Sequence, residues 1–241
     1  MALRNKPLGE QVALVTGGGT GIGRAFAGAL AGAGARVVIA SRREEVLRRA
    51  AEELNEGAGA GRVHPYAFDV RDLGQTESLV RHTAEQFGSL DILVNNSGLA
   101  VQETVEGVTE EGWDKVLETN LRGAMWLVRA ALPYMLREDF GDVVNVSSQA
   151  GKHGYADVPA YCASKFGLLG YAESLRDHAR KTGANLRVFN LCPGLVDVEN
   201  TAPTAEPRPG FVHVSNMART LLHVLSLDRN VVVEDISIYS R

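Results

Sequence analysis

The sequence predicts an α/β fold with a doubly wound parallel sheet of about seven strands and helices on both faces. The first observation is that short apolar runs, rich in β-branched residues, alternate with long amphipathic stretches. Continuous apolar runs are typical of parallel strands covered on both faces. The second is a glycine-rich segment, "TGGGTGIG" at 16–23, between the first apolar run and the first amphipathic stretch. With right-handed crossovers, these elements form a Rossmann-type sheet.

The elements follow one another without an internal repeat or a linker, so residues 1–241 are predicted to form a single domain. The predicted strands lie at 11–17, 35–40, 62–68, 91–96, 142–147, 186–191 and 231–238. The predicted helices lie at 22–32, 43–55, 73–87, 109–136, 158–181 and 214–226.

Composition narrows the class of protein. The chain is 45% hydrophobic and its net charge is −4, which argues against a nucleic-acid surface. The two cysteines, Cys162 and Cys192, lack metal-ligand spacing, so we expect no metal and a reducing compartment. The N-terminus is polar and short for a signal peptide, and no apolar run reaches membrane-spanning length. We therefore expect a cytoplasmic protein with no membrane partner.

The glycine segment between the first strand and the first helix predicts a pyrophosphate site. Its glycines have the spacing G-x-x-x-G-x-G, which allows a tight turn and a close approach of backbone N–H groups to an anion. A glycine-rich turn without a ligand is the alternative, and it would cost entropy without compensating packing. The predicted binding residues are Gly17, Thr20, Gly21, Ile22 and Gly23.

The end of the second strand indicates which nicotinamide cofactor binds. An acidic residue there would take the ribose hydroxyls of NAD, whereas an arginine accommodates the 2′-phosphate of NADP. The chain has Ser41 and Arg42 at this point, and Glu44 is expected to form a capping box with Ser41. We therefore predict NADP(H), with Ser41 and Arg42 on the phosphate. Alternatively, Arg42 is an exposed arginine at the start of a helix.

The third strand is followed by Asp69 and Val70, which are predicted to contact the adenine. Asp69 could equally cap the next helix, although Asp72 with Gln75 already serves there.

Over nearly its whole length, the chain resembles the short-chain dehydrogenase/reductase (SDR) family. The matching segments are "TGGGTGIG" at 16–23, "NNSG" at 95–98, Asn120 in "LETNLRG", "VVNVSS" at 143–148, "YCASK" at 161–165 and "CPG" at 192–194. Each is ordinary alone, but their order and spacing together are highly specific.

The resemblance implies a catalytic set of Asn120, Ser148, Tyr161 and Lys165. Reduction of a carbonyl by hydride transfer builds negative charge on the oxygen, so a proton must reach it. We expect Lys165, one helical turn from Tyr161, to lower the pKa of that tyrosine from about 10. Ser148 can hydrogen-bond the carbonyl oxygen. In the family, the residue at the position of Asn120 holds a water that links the lysine to solvent.

The resemblance also implies further cofactor contacts. Asn95 and Gly98 are expected beside the adenosine ribose, and Pro193, Gly194 and Val196 beside the nicotinamide. Two positions depart from the family pattern, and the first is Ser97, where the family usually has alanine. Val198 stands where a threonine often binds the carboxamide, and Thr201 is a candidate substitute.

Substrate contacts are expected from the loops after the fourth, fifth and sixth strands. His153 and Tyr155 are predicted as pocket wall or exposed loop residues, and Lys152 as a solvated residue or an attraction for acidic substrates. The proline-rich segment 201–210 is expected to be a lid or pocket wall, with a connecting loop as the alternative. The chain ends without the glycine-rich tail of many relatives, so we expect a less enclosed pocket.

The predicted function is an NADPH-dependent oxidoreductase that reduces a ketone or aldehyde, or oxidises a secondary alcohol or 3-hydroxy acid. The partner is a small carbonyl or alcohol substrate. The resemblance also implies a homodimer or homotetramer, because in the family the helices that correspond to 109–136 and 158–181 pair across a two-fold axis. The alternatives are an NADP(H)-binding sensor without catalysis, or epimerisation or dehydration on the same scaffold.

Overall fold

The structure is a computed structural model and describes residues 5–199 and 208–241. Its nine strands are β1 (Val12–Thr16), β2 (Arg36–Ser41), β3 (Val63–Ala67), β4 (Ile92–Asn95), β5 (Gly141–Val146), β6 (Leu186–Pro193), β7 (Val196–Asp197), β8 (Val212–His213) and β9 (Asp235–Ile238). The main sheet has seven parallel strands in the order β3-β2-β1-β4-β5-β6-β9, and β7 pairs with β8 separately. The predicted doubly wound sheet is confirmed.

Seven α-helices cover this sheet within the described residues. They are α1 (Gly21–Gly32), α2 (Glu44–Ala58), α3 (Leu73–Phe87), α4 (Glu110–Leu117), α5 (Gly123–Arg137), α6 (Pro159–Thr182) and α7 (Val214–Ser226). None of them is both long and apolar enough to cross a membrane.

The two faces of the sheet bury separate apolar layers, because side chains alternate along each strand. In β5, Val144 and Val146 belong to the layer that packs against α1 and α7. Val143 belongs to the opposite layer, formed with α3, α5 and α6. Both layers hold fully buried side chains such as Phe26 and Leu93.

The predicted helix at 109–136 is interrupted. A π-helical turn at Glu118–Arg122 separates α4 from α5 and holds Asn120, which is buried. Such single π turns are frequent at functional sites because they redirect side chains. The helical periodicity of the sequence does not reveal the extra residue in the turn.

Two local predictions at helix starts have opposite outcomes. The capping box of Ser41 with Glu44 is wrong, because Ser41 still belongs to β2 and its carbonyl accepts from Phe68 N. Arg43 is the N-cap residue of α2 and makes no capping bond through its side chain. The cap of α3 is confirmed: Asp72 accepts from Gln75 N at 3.0 Å.

The last predicted strand, at 231–238, is confirmed only in its second half. The pairing of β9 with β6 begins where Asp235 meets Asn190, so 231–234 form no part of the strand. Val232 is 72% exposed there, which shows how few neighbours this segment has.

Candidate active site

The glycine segment forms a tight turn at the carboxyl end of β1. Gly17 has a φ of 64°, and a Cβ there would lie 2.8 Å from Asn96 Nδ2. A Cβ on Gly23 would collide with the carbonyl oxygen of Gly17. Gly17 therefore satisfies a left-handed backbone, and Gly23 allows the start of α1 to pack against the turn.

A cavity of about 530 Å³ opens above this turn; we call it the glycine-loop cavity. The N-terminus of α1 faces it, and Thr20, the N-cap residue, makes no capping bond through its side chain within the described chain. The first N–H groups of α1 are therefore available to an anion. Among the predicted cofactor residues, those lining this cavity are Gly17, Thr20, Gly21, Ile22, Ser41, Arg42, Asp69, Val70 and Gly98.

The far end of the glycine-loop cavity is basic. Arg42 is exposed and makes no ion pair with any described residue. Asp69, by contrast, is paired with Arg71 at 2.6 Å. The hydrogen bond from Arg71 holds the pKa of Asp69 below its usual value, and the charge of Arg42 acts in the same direction. This end therefore offers the guanidinium of Arg42, with Arg43 beside it, and a carboxylate whose charge is balanced.

Asn95 ends β4 as predicted, but its side chain turns into the sheet. Its side chain is buried and donates to Asn145 Oδ1 at 3.0 Å. Asn145 donates in turn to Asn190, in register across the sheet. The Asn95 side chain thus belongs to an asparagine ladder, and the expected link between Asn95 and the adenosine ribose stays a prediction. Asn96 lines the cavity instead, and its Nδ2 donates to Thr16 O at 2.9 Å.

A second cavity of about 820 Å³ adjoins the first; we call it the tyrosine cleft. Ile22, Asn96, Gly98, Leu99 and Val198 line both, so the two form one continuous depression. Among the predicted site residues, the tyrosine cleft is also lined by Ser148, Tyr161, Lys165, Pro193, Gly194 and Val196. The carboxyl ends of β4, β5 and β6 thus meet over the first turns of α6.

Tyr161 and Lys165 lie on consecutive turns of α6, which begins with Pro159. Lys165 Nζ donates to the carbonyl oxygen of Val146 at 2.7 Å and lies 5.5 Å from the centroid of the Tyr161 ring. Tyr161 is hydrogen-bonded to Ser148. The end of β5 therefore fixes both side chains, one through a backbone carbonyl and one through a hydroxyl.

Burial has the largest effect on the pKa values of both Tyr161 and Lys165. It raises the pKa of Tyr161 above its ordinary value, against the lowering effect of the Ser148 hydrogen bond. Burial also lowers the pKa of Lys165 to about 8. The net direction of the Tyr161 pKa is therefore opposite to the expected lowering, because burial outweighs the interactions that favour the phenolate.

Asn120 lies behind the tyrosine cleft in the π turn. Its Oδ1 accepts from Leu99 N at 2.9 Å, and its Nδ2 donates to Leu99 O at 2.8 Å and to Ser164 Oγ at 3.1 Å. A Cβ on Gly98 would lie 3.4 Å from Asn120 Oδ1 and 3.6 Å from Lys165 Nζ. Asn120 thus fixes the loop after β4 near the lysine, and the water-holding role stays a prediction.

Comparison with known proteins identifies the family. The family described as short chain dehydrogenase matches residues 11–209. The chain belongs to this family. It is therefore an oxidoreductase that acts on alcohol or carbonyl groups.

Three proteins show which known proteins are similar to this chain in sequence or in structure. A galactitol 2-dehydrogenase of Agrobacterium fabrum is 37% identical over 194 residues, which are 80% of this chain and 73% of that protein. An alcohol dehydrogenase of the archaeon Thermococcus sibiricus, complexed with 5-hydroxy-NADP, has a TM-score of 0.86 at 26% identity and covers 95% of this chain and 96% of that chain. An actinorhodin polyketide ketoreductase variant with NADPH has a TM-score of 0.85 at 30% identity, covering 95% of each chain.

The departure from the family pattern at Val198 lies where the two cavities meet. Val198 lines both cavities, and a Cβ on Gly21 would lie 3.2 Å from its Cβ. The valine thus packs against the glycine turn and offers no hydroxyl. Thr201, and the segment 201–210 up to residue 207, lie outside the described residues.

Sequence reasoning missed several residues of this short chain dehydrogenase. Gln149 and Tyr239 line the tyrosine cleft together with His153 and Tyr155, whose predicted place in a pocket wall agrees with the structure. Gln149 follows the catalytic serine directly, which could have drawn attention to it. Nothing in the sequence indicated that Tyr239, 90 residues further on, would reach the same cleft.

Proposed function

We propose that this short chain dehydrogenase is an NADP(H)-dependent carbonyl reductase, and in the reverse direction an alcohol dehydrogenase. The observation that carries the proposal is the partly buried Tyr161, whose hydroxyl is bonded to Ser148 with Lys165 one turn along, beside the glycine-loop cavity. Asn120 completes the catalytic set by fixing the loop after β4.

The residues of the glycine-loop cavity fit a dinucleotide phosphate. The uncapped N-terminus of α1 suits a pyrophosphate, and the glycine turn leaves no side chain in its way. Ser41 and the unpaired Arg42 suit a 2′-phosphate, because a guanidinium binds phosphate oxygens in a bidentate geometry. The NADP and NADPH complexes of the two structural neighbours support the same choice. At the end of β2, where an NAD site needs a carboxylate for the ribose hydroxyls, the chain has Ser41 followed by Arg42.

The protein's part in the reaction is to move one proton. NADPH supplies the hydride to the carbonyl carbon when it is bound. Tyr161 donates its phenolic proton to the carbonyl oxygen, so the product is an alcohol. Because burial raises the pKa of Tyr161, the hydroxyl keeps its proton at neutral pH and is ready to donate. The Ser148 hydroxyl donates a hydrogen bond to the same oxygen and stabilises the developing charge.

Lys165 stabilises the phenolate that remains after proton transfer. With a pKa of about 8, it is still mostly protonated at neutral pH. Its ammonium lies 5.5 Å from the tyrosine ring in a buried setting, where an opposite charge is strongly stabilising. Val146 O holds the ammonium in place while the tyrosine charge changes.

The proposal also covers the cellular compartment, the oligomeric state and the number of domains. Two free, buried cysteines suit a cytoplasmic protein. The partly exposed Trp113, Met125 and Phe166 on α4, α5 and α6 suit a homodimer or homotetramer. The single domain over 1–241 is proposed on the continuity of the sheet.

The test is oxidation of NADPH, followed at 340 nm, against a panel of ketones, aldehydes, 3-oxo esters and quinones. NADH is run beside it at equal concentration. The proposal expects turnover with at least one carbonyl class and at least tenfold higher kcat/KM for NADPH than for NADH. NADPH binding without any turnover would favour the sensor function. Equal use of NADH would contradict the role of Arg42.

A further inference from the structure

Tyr239 reaches the tyrosine cleft from the far edge of the sheet. It follows β9 directly, and Gly194 N donates to Ile238 O at 2.9 Å, which holds this segment against the end of β6. The Tyr239 ring packs beside Gly194, where a Cβ would lie 3.8 Å from Tyr239 Cδ1. Tyr239 is nevertheless 61% exposed, so one side of its ring faces the cleft.

Gln149 holds the phenol of Tyr239 in one position. Gln149 is only 5% exposed, and its Nε2 donates to the carbonyl oxygen of Cys192 at 2.6 Å. Because that carbonyl can only accept, the amide oxygen must face the other way. It accepts from Tyr239 Oη at 3.0 Å. Both polar groups of the Gln149 amide therefore have a hydrogen-bond partner. The Tyr239 hydroxyl is bonded to the residue that follows Ser148.

A second contact ties the same turn to β9. Lys152 Nζ donates to Ser237 Oγ at 3.3 Å and lies 3.6 Å from Asp235 Oδ2. The charge of Lys152 is thus balanced on β9. This contact favours the solvated, structural role of Lys152 over an attraction for acidic substrates.

The remaining walls of the tyrosine cleft are mainly apolar. They are formed by Leu99, Tyr155, Val158, Leu195 and Val196, with His153 and Asp157 at the rim as the nearby titratable side chains. A cleft whose walls are mainly apolar suits a substrate that is mainly apolar beyond its reacting carbonyl. A polyol would leave its hydroxyl groups facing apolar walls, which costs binding energy for each unpaired group.

We propose that Tyr239, positioned by Gln149, is a specificity-determining residue that favours carbonyl substrates with a planar apolar substituent, such as an aryl ketone. The inference rests on the proposed function of the tyrosine cleft. The ring forms the wall beside the reacting carbonyl, and the bond to Gln149 keeps it from rotating into solvent.

The test compares acetophenone with butanone and with a ketohexose. Tyr239→Ala removes the ring, whereas Tyr239→Phe keeps the ring and loses its hydrogen bond to Gln149. Val232→Ala is a control on the same terminal segment. In the parent, we expect acetophenone to have the highest kcat/KM of the three. Tyr239→Ala should lower kcat/KM for acetophenone about tenfold, mainly through KM, and change butanone less than twofold. Tyr239→Phe should fall between, at about threefold, and Val232→Ala should match the parent.

A binding measurement separates this inference from the proposed reaction. The dissociation constant of acetophenone is measured by NMR titration with NADP⁺ present, and it should weaken about tenfold in Tyr239→Ala. If no carbonyl is turned over but this weakening is found, the proposed function fails, while the inference that Tyr239 selects the substrate is supported. Equal losses for acetophenone and butanone, unchanged binding in Tyr239→Ala, or tighter binding of the ketohexose would each overturn the inference.

Discussion

The glycine-loop cavity and the tyrosine cleft adjoin, yet they are built from different parts of the chain. The first is lined by backbone and mostly short side chains from the loops after the first four strands. The second is lined by larger side chains that converge from β5, α6, β6 and the segment after β9. Binding of a phosphate needs backbone N–H groups and one positive charge, so a short motif suffices. Recognition of a carbonyl substrate needs a shaped wall, and only the folded sheet brings that wall together.

The largest effect on turnover is expected when Tyr161, the proton donor in the tyrosine cleft, is replaced. Tyr161→Phe removes the proton donor and should lower kcat about 10³-fold, because positioned general acids contribute this order of rate enhancement. Turnover of the best carbonyl with NADPH is the measurement. Tyr134→Phe on α5 is the matched control and should keep the parent rate. Retention of more than a tenth of the parent rate in Tyr161→Phe would exclude this tyrosine as the donor.

The next effect concerns the packing of the glycine turn. Gly23→Ala places a Cβ against the carbonyl of Gly17 and should lower the free energy of unfolding by about 3 kcal/mol. The matched control is Gly32→Ala on the same helix, where a Cβ would meet nothing within 4 Å. That change should raise the free energy of unfolding, by up to about 1 kcal/mol. Urea denaturation of both variants is the measurement, and shifts of the same sign would refute the packing argument.

The buried lysine makes stability depend on pH. Since burial lowers the pKa of Lys165 to about 8 from 10.5, the unfolded chain binds more protons than the folded chain between these values. Stability from this group therefore rises with pH, by about 2 kcal/mol between pH 8 and 10. The difference in unfolding free energy between the parent and Lys165→Met shows this rise. Parallel stability curves for the two proteins would contradict a buried, perturbed lysine.

The smallest effect is expected at the exposed end of the glycine-loop cavity. Arg42→Ala removes a free guanidinium and should weaken NADPH binding about tenfold while changing NADH binding less than twofold. Arg36→Ala, at the opposite end of β2, is the control and should leave both affinities unchanged. Fluorescence titration with each cofactor measures these affinities. Equal losses of NADPH and NADH in Arg42→Ala would remove the 2′-phosphate assignment.

The sequence predicted the strands and the glycine turn because both depend on local signals. Apolar runs mark buried strands, and the Gly17–Gly23 spacing marks a turn that only small residues can make. The π turn around Asn120 was not predicted, since one extra residue leaves the helical pattern nearly unchanged. The capping box of Ser41 was wrong, and the side-chain ladder of Asn95 was not predicted, for a related reason. A strand that runs on to residue 41, and a ladder across three strands, depend on pairing that a single segment does not show.

The tyrosine cleft was predicted only in part. Tyr161 and Lys165 lie on one helix, so their spacing predicted their proximity. Tyr239 approaches Gln149 only because β9 is the neighbour of β6 in the sheet. The direction of the Tyr161 pKa also depends on burial, which spacing along a helix does not give.

In the proposed function, the glycine-loop cavity binds the cofactor and the tyrosine cleft transfers the proton. This assignment can be tested by measuring two properties of two variants. The dissociation constant of NADPH and the turnover rate at saturating NADPH and carbonyl are determined for Arg42→Ala and for Tyr161→Phe. We expect Arg42→Ala to change the dissociation constant and to leave the saturated rate within twofold of the parent. Tyr161→Phe should do the reverse. Loss of the saturated rate in Arg42→Ala, or loss of NADPH binding in Tyr161→Phe, would contradict separate binding and proton-transfer sites.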